Sequence, residues 1–166
     1  MGNQQAKISE LNISWFAGFV DGEGSFCFVA KPPRKGSNHN SVKPTFSINN
    51  CDVPTLHDCT ELLETYNIPH WIWWRRTNHP KHKMQWCLRI DGHKRLKRFL
   101  IWVTPYLHTK RKQAENILDF LNLREGKVGL SPYTDKEKLL VKTVKDLNRK
   151  GPNDYTQDTA DYAVKV

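Results

Sequence analysis

The sequence predicts an α+β fold, an αββαββα core with a saddle-shaped antiparallel sheet followed by further C-terminal helices. Three observations predict it. Four short segments alternate apolar and polar residues, and they fall into two pairs, each joined by a turn-rich loop. Each pair follows a segment whose apolar residues recur at helical spacing. Beyond residue 91 the pattern is helical.

Taken in order, Ser9 is placed to cap a first helix carrying Ile13, Phe16, Ala17 and Val20 on one face, until glycines end it. "SFCFVAK" then alternates, with Phe26, Phe28 and Ala30 on one side and Ser25, Cys27, Val29 and Lys31 on the other. The loop "KPPRKGSNHNSVK" carries Pro, Gly and Asn turn signals, and "PTFSINN" resumes the alternation with Phe46 and Ile48 inside. Asp52 opens a second helix with a stripe of Leu56, Cys59, Leu62, Leu63 and Tyr66, and Pro54 sits in its first turn, where a missing N–H costs nothing. "HWIWWRR", the tip "TNHPKHK" and "MQWCLRI" form a second hairpin, with Met84, Trp86, Leu88 and Ile90 inside. Asp91 and Thr109 are placed to start the next two helices. "REGKVGLSP" links to a last one, which Thr134 and Glu137 open as a capping box.

The 166 residues suit one domain over 1–151, with an acidic tail at 152–166 to which no function is assigned. Apolar residues make up 38% and aromatics 11%, which excludes a disordered chain. No apolar run approaches the roughly 20 residues that span a bilayer, so no membrane is expected. "MGNQQAKISE" lacks a signal-peptide core, and Ala6 stands where a myristoylation start needs Ser or Thr. Cys27, Cys51, Cys59 and Cys87 form no CxxC pair, and buried or half-buried thiols in an intracellular, reducing compartment are the expectation. Lys and Arg number 26 against 17 Asp and Glu, a net charge of +9. Without residues 152–166, which hold three Asp and one Lys, the body carries +11. Such a balance favours a polyanionic partner, most simply nucleic acid.

The sheet carries that argument further. Its outward face is expected to display Lys31, Lys43, Thr45, Ser47, Asn49, Trp73, Arg75, Lys83, Gln85 and Arg89, with Arg34 and Lys35 in the first hairpin tip. A two-stranded ribbon enters the DNA major groove, where Arg pairs with guanine and Asn or Gln with adenine. A solvated polar face is the bland alternative, but cations dominate this face and both tips. Lys112, Arg149 and Lys150 are additional candidates for DNA contact. His79 and His82 have metal-like spacing, yet beside the lysines of that tip they are read as phosphate-facing or solvated, and His57 and Cys59 as structural or surface residues.

The most unusual stretch is "WFAGFVDGEGSF". Ser14, Gly18 and Gly22 lay a small-residue stripe along the first helix, along which a second backbone can approach closely. Two helices crossing there would bring two copies of Glu23 together, and neighbouring carboxylates share protons or bind a divalent cation. An EF-hand is excluded, because Phe26 and Pro32 stand where its loop needs Gly and Glu. A plain helix-to-strand turn remains open for "DGEG" alone.

In context, Ala17 to Gly24 closely resembles the signature of the LAGLIDADG homing endonucleases. The order of elements is similar too, and "TPYLHTKRKQAENIL" looks like the family's lysine-bearing segment. Phe16 replaces the usual Leu and Glu23 the commoner Asp. The resemblance implies a homodimeric, site-specific endonuclease that hydrolyses both strands of a long, near-palindromic double-stranded DNA site with Mg²⁺, although Mn²⁺ or Ca²⁺ could occupy the same site. It implies Glu23 and the Gly22 carbonyl as metal ligands. Asn50 would order solvent, with Asn49 as the neighbouring alternative, and Lys110 would polarise that solvent or stabilise phosphate, with Lys112 and Gln113 behind it. An arginine that some members carry after the Asn50 position has no counterpart around Pro54. Two rival readings remain, a non-cleaving nucleic-acid-binding module such as an intron RNA splicing cofactor (maturase), and a basic protein–protein scaffold.

Overall fold

The computed structural model describes residues 2–32, 41–75, 83–127 and 131–149, the side chains of residues 2–9 and of Arg75 excepted. Arg34, Lys35, His79, His82, Lys150 and the tail from residue 152 lie outside the described residues. The order is α1 (Gly2–Glu23), β1 (Gly24–Lys31), β2 (Ser41–Asn50), α2 (Val53–Thr65), β3 (Trp71–Arg75), β4 (Gln85–Asp91), α3 (His93–Val103), a 3-10 turn (Thr104–Tyr106), α4 (Arg111–Arg124) and α5 (Asp135–Arg149). This is the α+β, αββαββα arrangement that the alternating segments predict, with α4 and α5 following the core.

The sheet is antiparallel in the order β1-β2-β4-β3. Helices cover the face that carries Phe26, Phe28, Phe46, Ile48, Leu88 and Ile90, all buried. At its centre the rings of Phe46 and Phe99 lie 4.6 Å apart, and those of Phe26 and Phe46 4.9 Å apart. α3 contributes Leu96, Phe99, Leu100 and Val103 to this core, and α4 adds Ala114, Ile117, Phe120 and Leu121. Two strand ends depart from the expected pattern. Ala30 is exposed near the end of β1, and Met84 is exposed just before β4 begins.

Several boundaries also differ, each for a physical reason. α1 begins at Gly2, so Ser9 lies within it and does not cap it. β2 begins at Ser41 and includes Pro44. The β2–β4 ladder starts only at Thr45, so a residue without an N–H is tolerated just before it. Asp91 ends β4 instead of capping α3. The N-cap there is Gly92, whose φ of 88° suits a residue without Cβ. Thr109 does not cap α4, because Lys110 occupies the N-cap. Cys51 is exposed, unlike the other three thiols.

Two cap assignments hold. Asp52 Oδ2 accepts the Thr55 N–H at 3.1 Å. At α5 the capping box closes both ways: Thr134 N–H donates to Glu137 Oε2 (2.6 Å) and Glu137 N–H to Thr134 Oγ1 (3.3 Å). Glu137 is fully buried and pairs with Lys127 (3.0 Å) and Arg124 (3.7 Å). Burial raises its pKa, but the Thr134 and Lys127 hydrogen bonds outweigh that and hold the carboxyl below its ordinary value. A depressed native pKa adds stability above the unfolded-state value and loses it as the pH falls through the native one. Glu137→Leu is therefore expected to lower unfolding free energy by about 2 kcal/mol at neutral pH, and by less in acid, as read by urea titration at the two pH values.

α1 runs into β1 without a loop, and Gly24 makes this possible. A Cβ there would lie 2.5 Å from the Val20 carbonyl oxygen and 2.9 Å from Cε2 of Phe46. Gly24→Ala must therefore push the helix end off the sheet, and is expected to cost about 1–3 kcal/mol in a thermal or urea melt.

Candidate active site and nucleic-acid interface

The C-terminal end of α1 is built by two residues from a distant loop. An acid at the negative end of a helix is unfavourable unless a donor meets it. For Asp21 those donors are backbone groups: His108 N–H donates to Oδ2 (2.7 Å) and Lys110 N–H to Oδ1 (2.9 Å). Lys110 then places its ammonium over the helix end, donating to the carbonyls of Val20 (3.2 Å), Asp21 (2.7 Å) and Gly22 (3.1 Å). The Asp21 and Gly22 carbonyls lie in the last turn, where helical partners run out, and a cation suits the dipole there. Burial lowers the Lys110 pKa, and the nearby Asp21 and Glu23 charges partly oppose that. Glu23 itself is exposed, and its carboxylate accepts no hydrogen bond among the described residues.

Asn50 ends β2 two residues beyond the Gly24–Ile48 pair, at the end of the sheet where α1 terminates. Its Oδ1 accepts the Asp52 N–H at 2.9 Å. Strand alternation separates it from Asn49, which lies on the open face with Ser47. The sheet register and the Lys110 contacts thus bring Gly22, Glu23, Asn50 and Lys110 to one corner of the fold. Lys112, exposed, and half-buried Gln113 follow in the first turn of α4.

Beside it, Ser14, Gly18 and Gly22 are exposed along α1, together with Leu11 and Trp15. A Cβ on Gly18 or Gly22 would meet nothing within 4 Å. Among the described residues, then, nothing packs on the stripe closely enough to need its glycines. A groove of about 380 Å³ runs next to it between α1 and α2, lined by Asn12, Trp15, Asp58, Glu61, Leu62 and Thr65. His57, Asp58 and Glu61 can bring ligand atoms within 4.8 Å of one another, but all three are exposed on one stretch of α2.

The open face of the sheet carries Ser47, Asn49, Trp73, Cys87 and Arg89 around a concavity of about 330 Å³. Lys31 and Lys83 are exposed at strand ends, Gln85 is half-buried and opposite Arg75, and Lys43 and Arg89 are both paired with Asp91. Thr45 is buried, 3% exposed, and its hydroxyl accepts from Arg89 Nε at 3.0 Å. Arg149, exposed, stands at the end of α5, where its neighbour Asn148 donates to the Phe26 carbonyl of β1 at 2.8 Å, and Lys112 stands on α4; neither belongs to the strands that form this face. Sequence reasoning missed three residues here. Trp71 shares the face of Trp73 and is 55% exposed, with the Arg95 guanidinium 5.6 Å from its ring centre; the same alternation could have found it. Asp21 was visible as an acid at the wrong end of a helix. Asp91 gave only a false capping signal.

No protein-family model matches the chain, and no curated protein matches it. Solved structures do. Homing endonuclease I-CvuI, in complex with its target in the presence of 2 mM Ca, aligns over 95% of this chain and 94% of its own, at 21% identity and a TM-score of 0.64. The archaeal intron-encoded homing endonuclease I-Vdi141I, complexed with DNA, aligns over 89% of each chain at 20% identity and 0.65. The LAGLIDADG homing endonuclease I-GzeII, in complex with a DNA target, matches 93% of this chain but 49% of its own, at 16% identity and 0.57. The chain has the LAGLIDADG homing endonuclease fold. Within that fold, the "AGFVDGEG" segment forms the end of α1 and the junction with β1, and Lys110 stands over that end.

Proposed function

We propose that this chain is a site-specific double-strand DNA endonuclease that acts as a homodimer with a divalent cation, Mg²⁺ in the first instance. The observation that carries the reading is the Lys110 ammonium on the Gly22 carbonyl, next to exposed Glu23 at the end of α1 and beside a helix stripe that none of the described residues covers. The donor set fits the cation: a carboxylate that accepts no hydrogen bond among the described residues and a ring of helix-terminal carbonyls are the hard oxygens that Mg²⁺ takes. Glu23 and the Gly22 carbonyl would hold it. When bound, the ion neutralises charge on the phosphate and lowers the pKa of a coordinated water. Lys110 brings a positive charge beside the same carbonyl, and Asp21 keeps that lysine in place by gripping its backbone. The Asn50 amide, at the same corner, would orient solvent. That I-CvuI was crystallised on DNA in the presence of Mg or of Ca agrees with a divalent cation, without choosing between the two.

Dimerisation follows from the substrate. A duplex offers two scissile bonds of opposite polarity, and one carboxylate corner addresses only one of them. Two copies packed through Ser14, Gly18 and Gly22 would present two corners and two sheets, and so a near-palindromic site. The match to about half of the I-GzeII chain, against nearly all of I-CvuI, supports a chain that is one half of such an assembly. The test is selection of cut duplexes from a randomised pool with Mg²⁺. Recovery of one near-palindromic family, lost with chelator, is expected. Tight binding with no cut product would overturn the nuclease and favour the non-cleaving module.

A further inference from the structure

Lys43, Asp91 and Arg89 form an ion cluster on the sheet's open face, at the end of the ladder between its two central strands. Asp91 Oδ2 bonds the Lys43 ammonium from β2 and forms an ion pair with Arg89 on its own strand, 3.2 Å from Nε. The same Nε donates to Thr45 Oγ1 at 3.0 Å, and Thr45 lies directly across the ladder from Asp91. Asp91 is only 18% exposed at its side chain, so the grip is partly shielded from water. A carboxylate on a face that meets phosphate weakens binding, and a half-exposed ion pair contributes little to stability. Neither effect accounts for an acid there, but its effect on Arg89 does. Both protein contacts of Arg89 use Nε, so among the described residues its two terminal amino groups are left over. The guanidinium also lines the concavity shared with Ser47, Asn49 and Trp73. A guanidinium fixed at Nε with its terminal groups available matches the paired O6 and N7 acceptors of guanine in the major groove.

We propose that Asp91 and Thr45 are positioning residues that set Arg89 to read a guanine, so that one G·C pair in each half-site is specified by this cluster. The proposal rests on the DNA-binding part of the reading above, and not on cleavage. Its test is selection of bound, uncut duplexes from a randomised pool without added metal, for the full chain and for Arg89→Lys, Asp91→Ala and Asp91→Asn. The unmodified chain should prefer G at one position per half-site by roughly tenfold or more. Arg89→Lys keeps the charge but loses the fork, and should flatten that position alone. Asp91→Ala should flatten the same position while affinity for unrelated DNA rises, because a negative charge has left the face. Asp91→Asn, which keeps the shape, should do the same more weakly. A purely structural role would instead lower affinity at every position. Retained G preference in Asp91→Ala and Asp91→Asn, an even loss across the site, or an unchanged profile in Arg89→Lys would overturn the proposal. Absence of any preference in the unmodified chain would overturn both it and the site-specific reading, whereas selective binding without cutting would remove only the nuclease.

Discussion

Glu23→Gln is expected to slow DNA cleavage by at least about a thousandfold while leaving affinity for the target within a few-fold. The substitution keeps the size of the side chain and removes its charge. Metal-assisted neutralisation of a phosphate supplies several kcal/mol in the transition state, and each 1.36 kcal/mol is tenfold in rate. The fold should not notice, because the carboxylate is exposed and accepts no hydrogen bond among the described residues. The measurement is single-turnover cleavage of a selected site beside an equilibrium binding titration. Cleavage at an ordinary rate would remove Glu23 from the mechanism, and parallel loss of binding would make it a contact residue instead.

The second large effect is on assembly. Gly18→Leu adds a bulky side chain where none of the described residues comes within 4 Å of the new Cβ. Leucine is also the better helix former by up to about 1 kcal/mol. The protomer should therefore be at least as stable as before. If two copies touch through Ser14, Gly18 and Gly22, the same leucine separates their backbones. A folded monomer that no longer cuts both strands is then expected, with thermal melting and sedimentation read side by side. A Gly18→Leu protein that stays dimeric and active would move the interface elsewhere on the surface.

What the sequence made legible divides along a physical line. Alternation, helical stripes and local caps depend on neighbours a few residues away, and here Asp52, Thr134 and Glu137 behave as their spacing predicts. Glu23, Asn50 and Lys110 were named through a resemblance, and the structure brings them to one corner through the end of α1, the end of β2 and the start of α4. The failures at Ser9, Asp91 and Thr109 are also alike. Each is a good local cap, and for Asp91 a distant partner wins: its carboxylate goes to Lys43, 48 residues away, leaving Gly92 to begin α3. Asp21 shows the same effect in reverse, since its partners at His108 and Lys110 lie 87 and 89 residues along the chain. Short-range patterns carry no record of such pairings. The open face was likewise identified by its alternation, but not which of its residues are already held by one another.

Native mass spectrometry on a selected duplex, first without metal and then after adding Mg²⁺, tests the central claim most directly. Two protomers on one duplex, converting on addition of Mg²⁺ to fragments broken in both strands, is the predicted result. One protomer per duplex cutting both strands would contradict it.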